Sequence, residues 1–247
     1  MSDETASPPA SAPTTRRRRG ALTFLRDVVV ILLIALLVSF LVKTFVVRSF
    51  YIPSASMTDT LQLQDRILVD ELTPHFGEYG RGDVVVFRDP GGWLPANPKP
   101  EQPPVVAAID WVLSLVGLSA PDSDDHLIKR VIGTPGDHVV CCNALGQTEV
   151  NGSPLVEPYV KLAPGATAPT PVPFDITVPQ GSLWVEGDNR NSSKDSRFNQ
   201  DQPGKGFVPI DNVVGRAFLI TWPFNRFGAI DFHHDVFAGV PAPESAP

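Results

Sequence analysis

The feature that most constrains this chain is an apolar run, residues 28–47, which stands directly ahead of the bulk of the sequence. Residues 28–42 include Ser39 as their one polar side chain, and Phe45-Val46-Val47 carry the run past Lys43 and Thr44. Twenty such residues form a helix of roughly 30 Å at about 1.5 Å per residue, the thickness of a bilayer core. Lys43, near one end, can lift its ammonium to the interface. Four arginines, Arg16 to Arg19, precede the run, against Arg48 alone just after it, so the N-terminus is expected in the cytoplasm and the rest outside. A cleaved signal peptide is the competing reading. The run is too long for one, and Arg48-Ser49-Phe50-Tyr51-Ile52-Pro53 follows it where small residues would be needed. A buried soluble helix would show a polar periodicity, and none is present.

Charge and punctuation divide the remainder. Net charge is −7; residues 1–27 carry five Arg against Asp3, Glu4 and Asp27, so they sum to +2 and the rest to −9. An acidic body argues against nucleic acid as a partner. Residues 1–15 are rich in Ser, Thr, Pro and Ala, which predicts a disordered cytoplasmic tail over 1–27 that contains the basic block. The 26 prolines cluster at 7–13, 90–104 and 164–173, marking irregular segments. Between them lie short runs of strand character at 66–69, 83–87, 127–132, 138–142, 174–178, 183–186 and 213–220. Asn151-Gly152 is a tight-turn signal. Many short strands without alternating helices predict a mostly β, antiparallel body, barrel-like or sandwich-like, behind one N-terminal transmembrane helix. The expected division is a tail (1–27), a span (28–47), a β domain (48–234) with an insertion at about 90–126, and a flexible tail (235–247). Within the insertion, residues 105–118 read as a short helix, packed on the body or dipping into the membrane surface.

The chemistry has few candidate carriers. Cys141 and Cys142 are neighbours and can close only a strained ring, so a structural disulfide framework is not expected. The five histidines, His75, His126, His138, His233 and His234, sit in no triad pattern, and none has partners at metal-ligand spacing. No metal or cofactor is expected. Ser54 and Ser56, two hydroxyls in Phe50-Tyr51-Ile52-Pro53-Ser54-Ala55-Ser56-Met57, stand close to the membrane boundary and need a base. A lysine can serve if its pKa is depressed. Lys129, in Leu127-Ile128-Lys129-Arg130-Val131-Ile132, would share a strand face with Leu127 and Val131, where burial disfavours the ammonium. Taken alone, the hexamer reads equally as a strand edge whose two cations reach water.

Three boxes in order change that balance: Pro53-Ser54-Ala55-Ser56-Met57, Lys129-Arg130-Val131-Ile132-Gly133-Thr134-Pro135-Gly136-Asp137, and Gly187-Asp188-Asn189-Arg190-Asn191-Ser192-Ser193-Lys194-Asp195-Ser196-Arg197. Together they resemble the serine, lysine and Gly-Asp-Asn-Arg boxes of the type I signal peptidases. Arg81-Gly82-Asp83, Gly206-Phe207-Val208-Pro209 and Arg226-Phe227-Gly228 fit the same family, and the resemblance runs from about residue 50 to 228. It implies a β-rich serine–lysine endopeptidase that removes signal peptides from exported preproteins. By position, Ser56 would be the nucleophile and Lys129 the general base. Ser54 and the backbone N–H of Ser56 would form the oxyanion hole. Ser193 would orient Lys129, with Asp188, Arg130, Asp195 and Arg197 in support. Phe50, Ile52, Leu61 and Ile128 match positions lining shallow pockets for small residues, which fits cleavage after an Ala-x-Ala pattern. Expected partners are signal peptides, the lipid bilayer and the protein-export channel. Asp59 departs from the family, which usually has proline there. The chain shows one span where larger members have two.

Two other classes are open to such a chain. One is an anchored β domain that binds exported chains without cutting them. The other is a self-cleaving serine–lysine repressor, disfavoured by the anchor and by the lack of a DNA-binding helix pair.

Overall fold

The computed structural model describes residues 15–73, 77–95, 103, 105–106, 125–165 and 172–243, with side chains of the first helix described for 23–39. The chain divides into two compact units after Val42. The first is built on helix α1 (Thr15–Phe45). Its described side chains are exposed except for the half-buried Val28, and they include Phe24, Leu25 and a nearly unbroken apolar series from Val29 to Val38. Among the described residues, no helix is long and apolar enough to cross a membrane. The helix boundaries differ from the sequence reading at both ends. Residues 15–27, expected to be disordered, are already helical, and Val47, expected to close the span, opens the first strand. Val105 and Val106 are helical; the rest of the stretch at 105–118 lies outside the described residues, as does His75.

The second unit is antiparallel throughout its ladders, as the short alternating runs predict. Its strands are β1 (Val47–Tyr51), β2 (Arg66–Asp70), β3 (Val84–Arg88), β4 (His126–Gly133), β5 (His138–Cys141), β6 (Thr148–Val150), β7 (Ser153–Pro154), β8 (Phe174–Thr177), β9 (Ser182–Glu186), β10 (Val208–Pro209), β11 (Val213–Trp222) and β12 (Gly228–Ala229). The larger sheet runs β1-β2-β11-β3-β4-β9-β10, with β12 added to β11; the smaller runs β7-β6-β5-β8. Strands β1, β6, β7, β10 and β12 were not singled out in the sequence. Four of them are two or three residues long, too brief for a period to show, and β1 hides in the end of the apolar run.

Strand β3 explains why its sequence is Val84-Val85-Val86-Phe87 without alternation. Val84 and Val86 enter a cluster with Phe50, Ile52, Met57, Leu61, Ile67 and Ile128. Val85 and Phe87 enter another with Trp93, Leu127, Val131 and Leu183. A strand covered on both faces needs apolar residues at every position.

The two sheets join at the turn after β4. Asp137 collects donors from both: Thr134 N–H at 2.7 Å, Thr134 Oγ1 at 2.8 Å, Arg81 Nε at 2.8 Å and Asn151 Nδ2 at 2.9 Å. Asn151 and Gly152 have φ of 51° and 76°, the two positive values that a two-residue hairpin turn requires between β6 and β7. Cys141 and Cys142, not expected to bridge because they are neighbours, are joined as a disulfide where β5 ends.

The end of the chain also differs from expectation. Residues 235–243 are not a loose tail. Phe237 is buried with Ile132, Val139, Phe174 and Trp184, and the carbonyls of Val240 and Pro241 accept from Arg81, with Asn151 also donating to Pro241. The segment thus straps the smaller sheet to Arg81. Replacing Phe237 with Ala is expected to lower unfolding free energy by about 3 kcal/mol, measurable by denaturant melts of the full chain in detergent. An unchanged midpoint would show that the strap carries no load.

Candidate active site

Residues 52–65 leave β1 as a closed loop: Ile52 N–H bonds Asp65 O at 2.9 Å, and Gln64 N–H bonds Ile52 O at 2.9 Å. Met57 and Leu61, both without exposed surface, pin the loop to the core. Asp65 is held by Arg226, which also donates to Thr60 O at 3.1 Å. These anchors fix the short stretch between them, Ser54 to Ser56. Ser56 is 6% exposed, while Ser54 is open to solvent; their hydroxyl oxygens are 3.3 Å apart.

Lys129 comes from the middle of β4, opposite Val85 of β3, with Leu127 and Val131 buried two residues to either side. The strand-edge reading therefore fails: the ammonium does not reach water, and Lys129 is 4% exposed. Its Nζ donates to Ser56 Oγ at 2.8 Å and to Ile128 O at 2.8 Å. Burial lowers its pKa from 10.5 to about 8, with Arg197 pulling the same way and Asp195 and Asp188 resisting.

A hydrogen-bonded polar layer backs this pair. Asp188 takes Arg130 Nε at 2.9 Å and NH2 at 2.8 Å, together with the Thr60 hydroxyl at 2.5 Å. Arg130 spends its other donor on the carbonyls of Gly82, Phe232 and Asp231. Asp195 takes Arg197 Nε at 2.8 Å and NH2 at 2.7 Å, and also the Gly187 N–H at 2.9 Å. Burial alone would push the Asp195 carboxyl up, but these donors hold it below the usual range. Asp188, Arg130, Asp195 and Arg197 are all at most 1% exposed, so none is a plain surface charge. Such pairs are strongly disrupted when one partner is removed, because the other charge stays buried.

The sequence pointed to most of this but not all. Ser193, expected to hydrogen-bond and orient Lys129, is buried but makes no hydrogen bond to it. Its hydroxyl lies close enough to Asp195 to help keep that carboxylate ionised, but in no good bonding geometry. Phe50, Ile52, Leu61 and Ile128 fall in one apolar cluster with Met57, beside Ser56; Leu61 has no exposed surface and cannot form the wall of an open pocket. Asp59, the departure from proline, is on the surface and pairs with Lys161 Nζ at 3.1 Å.

Four participants went unread: Thr60, Glu157, Tyr159 and Glu186. Glu186 ends β9 fully buried, accepting from Trp184 Nε1 at 3.0 Å and facing Arg190 at 3.1 Å and Arg197 at 3.5 Å. Burial pushes its carboxyl up against the pull of those arginines. An acid among apolar strand residues was the available signal. Gly187 has a steric reason: a Cβ there would fall on the Ser193 side chain and within 2.5 Å of Ser56 O.

A serine hydroxyl bonded to a buried amine that loses its proton near pH 8 can be deprotonated and attack a carbonyl. That is the equipment of a serine hydrolase with an amine as base, mounted on an antiparallel β body. The family model described as "Signal peptidase, peptidase S26" matches residues 25–222. Signal peptidase I of Mycobacterium tuberculosis is 40% identical over 89% of this chain and 80% of its own length. The probable signal peptidase I of Mycobacterium leprae is 35% identical over 92% and 85%, and signal peptidase I of Leptolyngbya laminosa 35% identical over 76% and 75%. The chain belongs to the signal peptidase family, peptidase S26.

Proposed function

We propose that this protein removes signal peptides from exported preproteins by a serine–lysine mechanism, with Ser56 as nucleophile and Lys129 as general base. Family membership makes it a serine endopeptidase. The observation that supports the residue assignment is the 2.8 Å bond from Lys129 Nζ to Ser56 Oγ inside a buried, charge-supported setting. As the neutral amine, Lys129 accepts the Ser56 proton while Oγ adds to the scissile carbonyl. The developing oxyanion is met by the Ser56 N–H and by the Ser54 hydroxyl, whose oxygen stands 3.3 Å from the attacking atom. One such donor contributes about 2.7–4 kcal/mol in comparable sites. Lys129 then gives its proton to the leaving amine, the acyl-enzyme forms on Ser56, and the freed lysine activates the water that releases the product. Ser193, buried beside Asp195, is assigned to orient Lys129 once substrate is bound, as the family resemblance implies; no bond between the two is present in this structure. Phe50, Ile52 and Ile128, at most 7% exposed, are assigned to the apolar backing of a shallow site that would admit only small side chains, fitting an Ala-x-Ala pattern.

Localisation is inferred from α1 and the arginines at its start. Its described apolar side chains are exposed all round, which suits contact with lipid better than with water. Together with the arginine block, this supports a single-pass anchor, cytoplasmic N-terminus and extracytoplasmic body, with the bilayer and the export channel as partners.

The test is cleavage of a purified precursor carrying an Ala-x-Ala site, by the full chain in detergent, across pH 6 to 10. Cleavage should occur after the second alanine of the pattern. Because only the neutral amine is a base and burial lowers the Lys129 pKa to about 8, kcat/KM should climb with pH and level off above that value. A flat profile with chemistry rate-limiting would remove Lys129 from the role, and no cleavage at any pH would favour the binding domain.

A further inference from the structure

After β7 the chain runs irregularly and turns at Pro158-Tyr159, where Val160 N–H bonds Glu157 O at 3.2 Å, and its residues alternate between two sides. Leu155, Glu157 and Tyr159 turn inward, while Val156 and Pro158 are exposed. Each inward polar side chain, and the residues just beyond, meets the Gly187–Asn191 loop or its supports. Glu157 takes Arg190 NH2 at 2.6 Å and NH1 at 3.1 Å. Tyr159 donates its hydroxyl to Glu157 at 2.8 Å and lays its ring 4.2 Å from the Arg130 guanidinium. Lys161 N–H donates to Asp188 O at 2.8 Å, and Lys161 O accepts from Arg190 N–H at 3.1 Å, forming a short parallel bridge with Asn189. Ala163 N–H reaches Asn191 Oδ1 at 2.7 Å.

The same loop is bonded to the nucleophile. Asn189 donates its N–H to Ser56 O at 3.0 Å and its Nδ2 to Ala55 O at 3.1 Å. Arg190, without exposed surface, also returns Nε to Gly187 O at 3.1 Å, locking the loop on itself. Lys161 Nζ also pairs with Asp59 at the surface, 3.1 Å away, but the links of Glu157 and Tyr159 toward Ser56 pass through residues 187–191 or through Arg130 and Asp188. Among the described residues, no hydrogen bond or ring contact of the segment reaches Phe50, Ile52, Leu61 or Ile128. The Tyr159 phenol, pushed well above its ordinary pKa by burial and by Glu157, stays a hydrogen-bond donor.

We propose that Glu157 and Tyr159 are positioning residues of the peptidase reaction: by clamping Arg190 and Arg130 they fix the 187–191 loop, and through it the backbone of Ser56. This rests on the assignment of Ser56 and Lys129 made above. The geometry separates it from a cover for the smaller sheet: among the described residues, the charged contacts of Glu157 fall on Arg190 and the ring contacts of Tyr159 on Arg130 and His233. Displacements of about 1 Å at a reacting group can lower turnover by a hundredfold, so a clamp of this kind acts on kcat. Among the described residues, Glu157 and Tyr159 make no hydrogen bond or ring contact with the apolar residues assigned to the substrate, so KM is expected to hold.

The experiment uses the full chain in detergent with the Ala-x-Ala precursor, measuring kcat, KM and the thermal midpoint. Glu157→Gln keeps shape but removes the charge on Arg190; Tyr159→Phe keeps the ring over Arg130 and removes only the hydroxyl; Tyr159→Leu removes both. Expected are kcat losses of about tenfold or more for Glu157→Gln and Tyr159→Leu, with Tyr159→Phe between Leu and wild type, and KM within about twofold. The proposal is overturned if kcat stays at the wild-type value, if KM changes instead, or if kcat falls only in proportion to the folded fraction. Ser56→Ala runs alongside. Cleavage that survives it would sink the underlying assignment, and this proposal with it; cleavage lost there but unaltered in the Glu157 and Tyr159 variants would sink the positioning role alone.

Discussion

Replacing Ser56 with alanine is expected to abolish precursor cleavage, with kcat falling by about four to six orders of magnitude, as when the serine of other serine peptidases is removed. The fold should survive, since the change deletes one oxygen from a residue whose neighbours Met57 and Leu61 carry the loop's packing. Lys129 keeps its bond to Ile128 O at 2.8 Å, so no polar group is left without a partner. Ser54 does not substitute: it is exposed, and Lys129 Nζ bonds Ser56, not Ser54. The variant should therefore still bind precursor and hold it uncut. Measuring cleavage and co-purification of precursor together separates the two readings of an anchored body on one sample. Loss of cleavage with binding retained supports the peptidase; equal cleavage by wild type and variant would move the nucleophile elsewhere.

Much of this arrangement was legible because strands advertise themselves when one or both faces are buried. The runs at 66–69, 83–87, 127–132 and 183–186 became β2, β3, β4 and β9 within a residue or two, and the Asn151-Gly152 turn fell between β6 and β7. Lys129 could be placed on a strand by periodicity, but its burial could not. The same hexamer fits a solvated edge, and what decides is that β4 lies between β3 and β9 in mid-sheet. Neighbours brought by long-range pairing carry no local trace.

The unread features share that cause. Glu157 and Tyr159 lie in an irregular segment where no period marks a buried face, and their partners Arg190 and Arg130 are 33 and 29 positions away. Glu186 sits at the end of a buried strand, where an acid normally signals exposure; two arginines arriving from the following loop, with the Trp184 indole N–H, make its burial tolerable. The C-terminal strap looked like a tail because proline and small residues dominate it. Phe237, with Val236 and Val240 packed beside it, and the backbone carbonyls of Val240 and Pro241, accepting from Arg81 and Asn151, hold it.

Lys129→Met should end catalysis about as fully as the loss of Ser56, and it should also change stability in a direction opposite to most core substitutions. The lysine is 4% exposed, and burial has brought its pKa from 10.5 to about 8. Below pH 8 both folded and unfolded chains carry the ammonium, and the folded chain bears the whole difference in its environment, about 3 kcal/mol at 1.36 kcal/mol per pKa unit. Between pH 8 and 10.5 the folded chain has released the proton and the unfolded chain still holds it, so the penalty shrinks as pH rises. Above 10.5 both are neutral and the penalty is gone. Methionine has similar length and no charge, so it escapes the penalty but gives up the bonds to Ser56 and Ile128, each contributing about 1 kcal/mol. The variant is therefore expected to be as stable as wild type or more so at pH 7 and less stable at pH 10.5. The difference in unfolding free energy should swing by about 3 kcal/mol between them, toward the wild type at high pH. Denaturant melts of both full-length chains in the same detergent, repeated at pH 7, 9 and 10.5, read that swing directly. A difference that does not vary with pH would mean that Lys129 titrates at the same pH folded as unfolded, and the amine would then be an ammonium at neutral pH and no base for Ser56.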